Sequence, residues 1–598
     1  MWLHKLIFCV LLVTATTFAF NLKDVGVSIF ANEIDHWVKH GEETDLFKIA
    51  VNFLRIPTEL RQTDWRSFTG KSNLAICTIC RSTMKVFIDL RRKGMTEEQI
   101  NKKLTRLCVL LNIQTERVCK GVIELNSPIL THIVDSKPNL TSETVCGIVL
   151  ESRSCSITDP EHEWAITVDS NPGLEIPKND NNESIEILHI TDLHYDPLYE
   201  PYGNSDCGEP ACCRKGQNDT NVKASAGYWG DYGNCDTPWH AVVDALDWMK
   251  DKHRDISYVY YTGDIIDHGV WETTMEGNIE SLNKSFAKIY ETFKDIPVYP
   301  ILGNHEPHPL NLFAPKSITQ KHMSTQWLYT LMADLWIGYG WLPESTRSTI
   351  LQGGFYTVSP KKGFRIIALN SNVCYCYNWW LLYSPRDPDN QLQWLADTLL
   401  EAEKNEEYVH ILSHIPSNYK DCVRTWRREY LRIVSRFSHI IVAQFNGHTH
   451  NDELTVYYDN HDVPNNIGWN GGSLTAFVKL NPNYKVYAVN GGNYAVQDYE
   501  NWMYDLDAAN KNPKVRPAWY KSYSFKNEYG LSDLSAKSLS NWIFSTAKNK
   551  TVLDQYYRHF YKHAEPSLKD RCSSRCKKEL LCRTIASSKK EKLCKNIL

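Results

Sequence analysis

Five short strings hold most of the side chains in this sequence that could do chemistry together. They are Asp192-Leu193-His194, Gly263-Asp264 with His268 four residues on, Gly303-Asn304-His305-Glu306, Ser413-His414, and Gly447-His448-Thr449-His450. Each alone is common, and a lone histidine is more often a surface or hydrogen-bonded core residue than a ligand. As an ordered set they supply Asp and His, ordinary ligands for Zn, Mn or Fe, and an Asn amide oxygen that can serve as a neutral ligand. Such a set suits two divalent ions, which in phosphoester-cleaving sites stand about 3.5–4 Å apart. Asp264 is the natural bridge, because a carboxylate offers one oxygen to each ion. Glycines beside Asp264, Asn304 and His448 let the chain turn sharply there.

The elements that must position these groups are legible just upstream. Apolar runs at Ile185–Ile190, Ile256–Thr262, Val298–Leu302, Tyr408–Leu412 and His439–Phe445 each lead into one string, and Arg365–Leu369 leads into Asn370. Short strands separated by helical stretches predict an α/β sheet with its chemistry at the carboxyl ends of strands. This catalytic region is expected over residues 185–500. From 501 to 598 the pattern turns helical and aromatic, with Cys572, Cys576, Cys582 and Cys594 in the tail.

The N-terminal part reads differently. Residues 1–20 join a short positive start, an apolar run from Leu6 to Val13 and small residues near the end, the pattern of a signal peptide. The run is too short for a membrane anchor. Residues to about Gly70 look like a leader of mixed helix. Six cysteines then fall within residues 73–157, among helical repeats such as Ile76, Ile79, Met84 and Phe87. Thr96 and Gln99 predict a capping box. A proline-containing linker is expected over 158–184. The chain has 18 cysteines, of which Cys9 lies in the signal, so a disulfide framework with one thiol left over is expected. Sequons start at Asn139, Asn182, Asn218, Asn283 and Asn549. These features predict a secreted and/or lysosomal glycoprotein, read as a monomer. The net charge of -4 argues against a dedicated nucleic-acid partner.

The cysteine-stapled helices resemble a saposin-like domain. That resemblance implies the pairs Cys77–Cys155, Cys80–Cys146 and Cys108–Cys119, and contact with membrane lipid. A disulfide-rich helical spacer without lipid affinity is the plainer alternative. The ordered strings resemble the calcineurin-like metallophosphoesterase superfamily, a β-sandwich flanked by helices. With Cys207…Cys212-Cys213-Arg214, Gly227-Tyr228-Trp229-Gly230, Gln391-Leu392-Gln393-Trp394-Leu395 and Asn481-Pro482-x-Tyr484, nearly the whole chain is similar to the acid sphingomyelinase family.

The family resemblance implies an all-α saposin-like domain, the α/β metal core and a helical C-terminal lobe. It implies two zinc ions, the first on Asp192, His194, Asp264 and His450, the second on Asp264, Asn304, His414 and His448. Sphingomyelin would be hydrolysed to ceramide and phosphocholine by a hydroxide held on the two metals. His305 is the expected general acid, with His268 the second candidate or an outer-shell donor. Further implied disulfides are Cys207–Cys212, Cys213–Cys235, Cys374–Cys422, Cys572–Cys576 and Cys582–Cys594. Cys376 is left over, and whether it or Cys374 joins Cys422 stays open. For the choline group, aromatic faces and a carboxylate are needed, and Tyr484, Tyr377 and Asp236 are the candidates. Two other readings remain: a soluble relative acting on nucleotides or other phosphocholine esters, and a lipid-presenting protein with an inactive core.

Overall fold

The computed structural model describes residues 19–56, 71–151, 155, 159–169, 183–217, 224–570 and 572–598; side chains are described from 26 and 76 onward in the helices that begin at 19 and 71. Nearly all of the expected signal peptide, residues 170–182 of the expected linker, and the sequons at Asn182 and Asn218 lie outside the described residues. The chain divides into two units, Met1–Pro160 and Glu161–Leu598.

The first unit is all helical: α1 (Ala19–His40), α2 (Asp45–Leu54), α3 (Lys71–Arg92), α4 (Glu97–Leu110), α5 (Glu116–Ser136) and α6 (Ser142–Val149). Threonines start four of them. Thr44, Thr96, Thr115 and Thr141 each accept a backbone N–H two or three residues into the helix, which satisfies a donor the helix cannot. Thr96 and Gln99 complete a capping box. Cys80–Cys146 staples α3 to α6, Cys77–Cys155 ties α3 to the chain after α6, and Cys108–Cys119 staples α4 to α5. The leader is not a separate appendage. Phe30, Ile34 and Trp37 of α1 and Phe47 and Val51 of α2 share one core with Val86, Phe87 and Leu90 of α3 and Leu107 of α4.

The second unit is a sandwich of two sheets. Its strands are β1 (Ser184–Ile190), β2 (Ile256–Tyr261), β3 (Val298–Pro300), β4 (Tyr356–Lys361), β5 (Phe364–Leu369), β6 (Tyr408–Ser413), β7 (Ile441–Asn446), β8 (Leu454–Tyr458), β9 (Pro464–Asn470), β10 (Asn483–Asn490), β11 (Val496–Met503), β12 (Tyr520–Ser524) and β13 (Ile585–Ala586). One sheet has the order β12-β11-β10-β1-β2-β3, the other β13-β8-β9-β7-β6-β5-β4. Between them Tyr260 bonds His410 Nδ1 at 2.8 Å, and Phe445 packs edge-on to Tyr260 and Tyr487. Alternation along β6 shows why the run is apolar throughout: Leu412 turns into the sandwich core, while Val409 and Ile411 pack with Leu395, Leu399 and Trp426 of the outer helices. Strands β1, β2 and β3 are mutually parallel, as are β5, β6 and β7. Their carboxyl ends carry all five strings.

The boundary expected at 500/501 falls inside β11. The C-terminal segment is not a separate lobe, because β12 extends one sheet, β13 extends the other, and Leu539, Ile543, Leu553 and Phe560 enter the main core. The remaining disulfides are Cys207–Cys212, Cys213–Cys235, Cys374–Cys422, Cys572–Cys576 and Cys582–Cys594; Cys376 is a buried thiol. Asn139, Asn283 and Asn549 are exposed. Asn549 caps a helix through its Oδ1, which leaves the amide nitrogen to carry a glycan.

A buried ion pair ties β10 to the stretch following His450. Lys485 Nζ lies 2.6 Å from Asp452 Oδ1, both essentially inaccessible, and donates to Asn470 O at 2.6 Å. Replacing Lys485 by Met strands the Asp452 carboxylate. We expect a loss of about 3–5 kcal/mol, measured by urea unfolding, with part of it recovered in the double variant Lys485→Met/Asp452→Asn.

Candidate metal centre

The turns that carry the candidate ligands are strained. Asp192, His194, Asp264, His448 and His450 have φ of 52°, 42°, 63°, 71° and 61°, a region that costs a non-glycine residue roughly 1–3 kcal/mol. Such turns persist only where the surroundings over-determine them. Here cross-loop bonds do so. Both oxygens of Asp192 lie 3.0 Å from the backbone nitrogen of His448, and Asp264 Oδ1 accepts the backbone N–H of His305 at 2.9 Å. Gly303 and Gly447 are required by close approach. A Cβ on Gly303 would lie 2.1 Å from Asp264 Oδ1, and one on Gly447 would lie 2.6 Å from Asp192 Oδ2.

Two of the imidazoles and the Asn304 amide are aimed from behind. His194 Nδ1 bonds Ile266 O at 2.7 Å, His414 Nδ1 bonds Thr262 O at 2.7 Å, and Asn304 donates its amide to Asn311 at 2.8 Å. These bonds fix the tautomer and turn the opposite nitrogen, or the amide oxygen, inward. Two donor sets result: Asp192, His194 and His450, and Asp264, His414 and His448. His194 Nε2 faces His450 Nε2 at 3.1 Å, with Asp192 Oδ1 3.2 Å from the latter. Asn304 Oδ1 lies 3.0 Å from His414 Nε2 and 2.8 Å from His448 Nδ1. Asp264 Oδ2 stands between the sets, 3.5 Å from His194 Nε2 and 3.0 Å from His414 Nε2.

These spacings fit two divalent ions. Bonds of 2.0–2.1 Å in a tetrahedron put neighbouring donors about 3.3 Å apart. Facing imidazole nitrogens repel through their lone pairs unless a cation lies between them. The electrostatics agree. Burial acts against charge on Asp192 and Asp264, but the imidazoles of His194, His450 and His414 outweigh it and hold both carboxyls below the usual carboxylate range. Burial likewise opposes charge on His194 and His414, yet Asp192 and Asp264 lift His194 to about 10, and Asp264 lifts His414 to about 9. In the metal-free protein, protons on these rings occupy the electrostatic role of the cations. His450 is driven the other way, to about 4, by burial.

The comparisons with known proteins agree with this geometry. Calcineurin-like phosphoesterases match residues 185–452, and the acid sphingomyelin phosphodiesterase C-terminal region matches 473–590. A sphingomyelin phosphodiesterase of Bos taurus is 31% identical over 559 residues, covering 91% of this chain and 87% of its own. One of Homo sapiens is 32% identical over 545 residues, covering 89% and 84%. The chain belongs to the sphingomyelin phosphodiesterase family. It is a metal-dependent phosphodiesterase of the calcineurin-like fold. A cyclic GMP-AMP phosphodiesterase of Rattus norvegicus is 31% identical over 417 residues, 66% of this chain and 88% of its own.

The structure of this phosphodiesterase brings His268 and His305 beside the donor sets, with ring centroids 4.1 and 4.7 Å from that of His194. His305 Nδ1 bonds the Asp267 carbonyl at 3.0 Å. His268 Nδ1 lies 2.8 Å from Asp236 Oδ1, its backbone N–H reaches Oδ2 at 2.7 Å, and its ring stacks on Phe477 at 3.8 Å. Burial lowers both imidazoles. Two of the expected choline contacts are corrected. Asp236 is buried with both oxygens engaged by His268, so it orients a ring and faces no ligand. Tyr484 is fully buried; its hydroxyl lies 3.0 Å from Trp248 Nε1 and 2.9 Å from His253 Nε2, and its ring packs with Trp502 and Trp519. Tyr377 is partly exposed and packs on Tyr375, which lies edge-on to His448 with centroids 5.3 Å apart.

Three residues were given no role in the sequence reading. Glu306 accepts the backbone N–H groups of Gly303, Asp264 and Ile265 and clamps two ligand loops together; burial and Asp264 push its carboxyl up to about 7. Arg214, buried beside Cys213, donates to Asp267 Oδ1 at 2.6 Å and fixes the residue whose carbonyl holds His305. Tyr419 lies 4.8 Å from the His448 ring. Glu306 and Arg214 stood in quoted strings, whereas Tyr419 carries no sequence signal.

Metal uptake must displace the protons on His194 and His414. At pH 7 we expect release of about two protons per chain, measured by titration calorimetry in buffers of different ionisation enthalpy. Uptake without proton release would contradict the assignment. The sign for stability follows. Both groups are raised above the ordinary 6.5, so they stabilise the metal-free fold fully below pH 6.5 and lose that contribution as pH rises through 9 to 10. We expect the Tm of the metal-free protein to fall over that range more than the Tm of the metal-loaded protein.

Proposed function

We propose that this phosphodiesterase hydrolyses sphingomyelin to ceramide and phosphocholine, with zinc as the metal, outside the cytosol in a secreted or lysosomal setting. The observation that carries the reading is coverage. An alignment spanning 91% of the chain includes most of the helical unit ending at Pro160, which a soluble headgroup would not require. The similarity to a cyclic GMP-AMP phosphodiesterase covers a length that the second unit alone could supply. It supports the second reading, a nucleotide phosphodiester, for that unit taken by itself. Eight disulfides among the described residues fit an oxidising compartment. No helix among the described residues is long and apolar enough to cross a membrane.

Asp192, His194, Asp264 and His450 would hold one ion, and Asp264, Asn304, His414 and His448 the other. When bound, the ions supply an activated water and offset charge on the phosphoryl oxygens. The chain's own groups do the rest. The bond that breaks joins phosphorus to the ceramide oxygen, which leaves as an alkoxide and needs a proton. His305 and His268 stand side by side, with centroids 4.6 Å apart, and we assign the proton to this pair. The Asp267 carbonyl and the Asp236 carboxylate bind the two Nδ1 atoms, so each ring is left with Nε2 to present. The Asp236 carboxylate holds His268 through both its Nδ1 and its backbone N–H, which makes Asp236 the positioning residue of the pair. Tyr377, with Tyr375 and Tyr419 beside the second donor set, offers aromatic faces to the quaternary ammonium. The stapled helices of the first unit are saposin-like in this reading and handle lipid.

Two measurements test this. Purified protein incubated with sphingomyelin vesicles and separately with cyclic dinucleotides should release phosphocholine, lose that activity with chelator, and regain it with zinc. Faster turnover of the dinucleotide would favour the second reading. Asp236→Asn should lower kcat on an alkoxide ester about 10–100-fold but change hydrolysis of an activated phenolate ester little, with metal content retained. Equal losses on both esters would remove the pair from proton transfer.

A further inference from the structure

Away from the metal centre, two histidines of the first unit stand as a pair. His36 and His40 lie four residues apart on α1, in the run His36-Trp37-Val38-Lys39-His40. That spacing puts both imidazoles on one helix face, the arrangement by which two helical histidines share a metal ion. Their ring centroids are 4.6 Å apart, with planes inclined at 40°. His40 is exposed, and the His36 side chain is 40% exposed.

The inner face of α1 holds the pair in place. Ile34, Trp37 and Val38 are buried, Trp37 stacks on Phe47 with centroids 5.6 Å apart, and Lys103 lies over the Trp37 ring at 5.4 Å. A site on a helix fixed in this way is set more precisely than one on a loop. A third donor comes from the turn that follows. Gly41 has φ of 74°, and its N–H donates to Trp37 O at 2.9 Å, the left-handed cap that ends a helix and redirects the chain. The Thr44 hydroxyl donates to the Glu33 carboxylate and ties the turn back onto α1. Glu42 is thereby brought to His36, with Oε2 standing 3.7 Å from Nε2.

The local charge suits a cation. Glu33, Asp35, Glu42, Glu43 and Asp45 flank the pair in sequence, against Lys39 alone. Lys39 is turned to Asp35 at 2.6 Å, and Arg106 of α4 to Glu43 at 3.5 Å, so these cations are engaged by carboxylates other than Glu42. The last turn of α1 adds the partial negative charge of its carbonyl groups. We infer that His36, His40 and Glu42 form a divalent-metal site separate from the buried centre, taking a late first-row ion of the zinc, nickel or copper kind, with water in the remaining positions. Two imidazole nitrogens and one carboxylate oxygen suit such ions, whereas calcium and magnesium call for more oxygen ligands. Exposed side chains close on an ion by changing rotamer. The same exposure makes the bound ion exchangeable, so dialysis removes it while the buried centre stays filled. An ion held there clamps the turn after α1 to the helix. The inference does not depend on which phosphodiester the centre cleaves.

The test uses full-length, untagged protein, loaded with zinc and dialysed free of excess, and takes nickel as the probe. Wild type should be retained on a nickel-charged support and should bind one further nickel ion in titration calorimetry. His36→Gln and His40→Gln should each weaken nickel binding about 100-fold or more, because each removes one arm of the chelate; Glu42→Gln should weaken it less. His322→Gln, at an exposed histidine of the second unit, should bind as wild type. One equivalent of copper should give a paramagnetic resonance spectrum with two nitrogen ligands in wild type and one in either single histidine variant. Thermal unfolding without nickel, and hydrolysis of a soluble ester, should be alike in all these proteins, since no substitution touches the core or the centre. A wild type that takes up no further nickel overturns the inference, and so does nickel binding that survives in the double variant His36→Gln/His40→Gln. A single histidine variant that binds as tightly as wild type would reduce the pair to one surface imidazole and overturn it too. Failure to hydrolyse sphingomyelin would count against the substrate and leave this site standing.

Discussion

Two carboxylate-to-backbone ties hold the centre in shape. Asp192, after β1, lies at hydrogen-bonding distance from the N–H of His448, after β7; Asp264, after β2, accepts that of His305, after β3. The first tie joins residues 256 apart and crosses from one sheet to the other. Each carboxylate thus fixes a second loop that carries further candidate ligands, Asn304 in one case and His448 and His450 in the other. The left-handed turns at five of the seven proposed ligands are tolerated because these ties, the bonds behind His194 and His414 and the Glu306 clamp hold the loops. The sandwich supplies the frame, since parallel strands end side by side and present their following residues to one edge.

The C-terminal segment is part of this frame. Lys562 is buried, and its Nζ donates to Ser473 Oγ at 2.7 Å. Ser473 in turn donates to Thr475 O, and Thr475 N–H donates to Asp192 O at 3.1 Å. Thr475 Oγ1 also reaches Asp236 Oδ1 at 3.3 Å. Lys562 is therefore two residues removed from Asp192 and from the carboxylate behind His268. Burial lowers its affinity for a proton, with Asp192 and Asp452 acting against that. Fold and site are continuous here, which is why no domain boundary can be drawn near residue 500.

How far the sequence could be read follows from what each residue touches. The position of the five strings was legible because each follows an apolar run, and a strand end is a place that sequence can mark. The alternation that buries Tyr484 was not legible from its motif, because which face of β10 it occupies depends on β11 and on Trp248 and His253 beneath. Asp236 looked like a free anion because nothing local announces that His268, 32 residues on, takes both of its oxygens. The leader was legible as helix but not as core, since its partner residues Val86, Phe87 and Leu107 lie past the next connection. Cys374 and Cys376 have the same spacing logic toward Cys422, and only the fold selects Cys374.

The central claim is that Asp264 is shared by two ions and that the shared centre exists only with both. Elemental analysis of zinc-reconstituted protein after exhaustive dialysis tests it most directly. Wild type should retain about two ions per chain, and Asp264→Ala should lose both together and lose turnover with them, while its disulfides and helical signal remain. An Asp264→Ala protein that keeps two ions per chain, or turns over at the wild-type rate, would contradict the account.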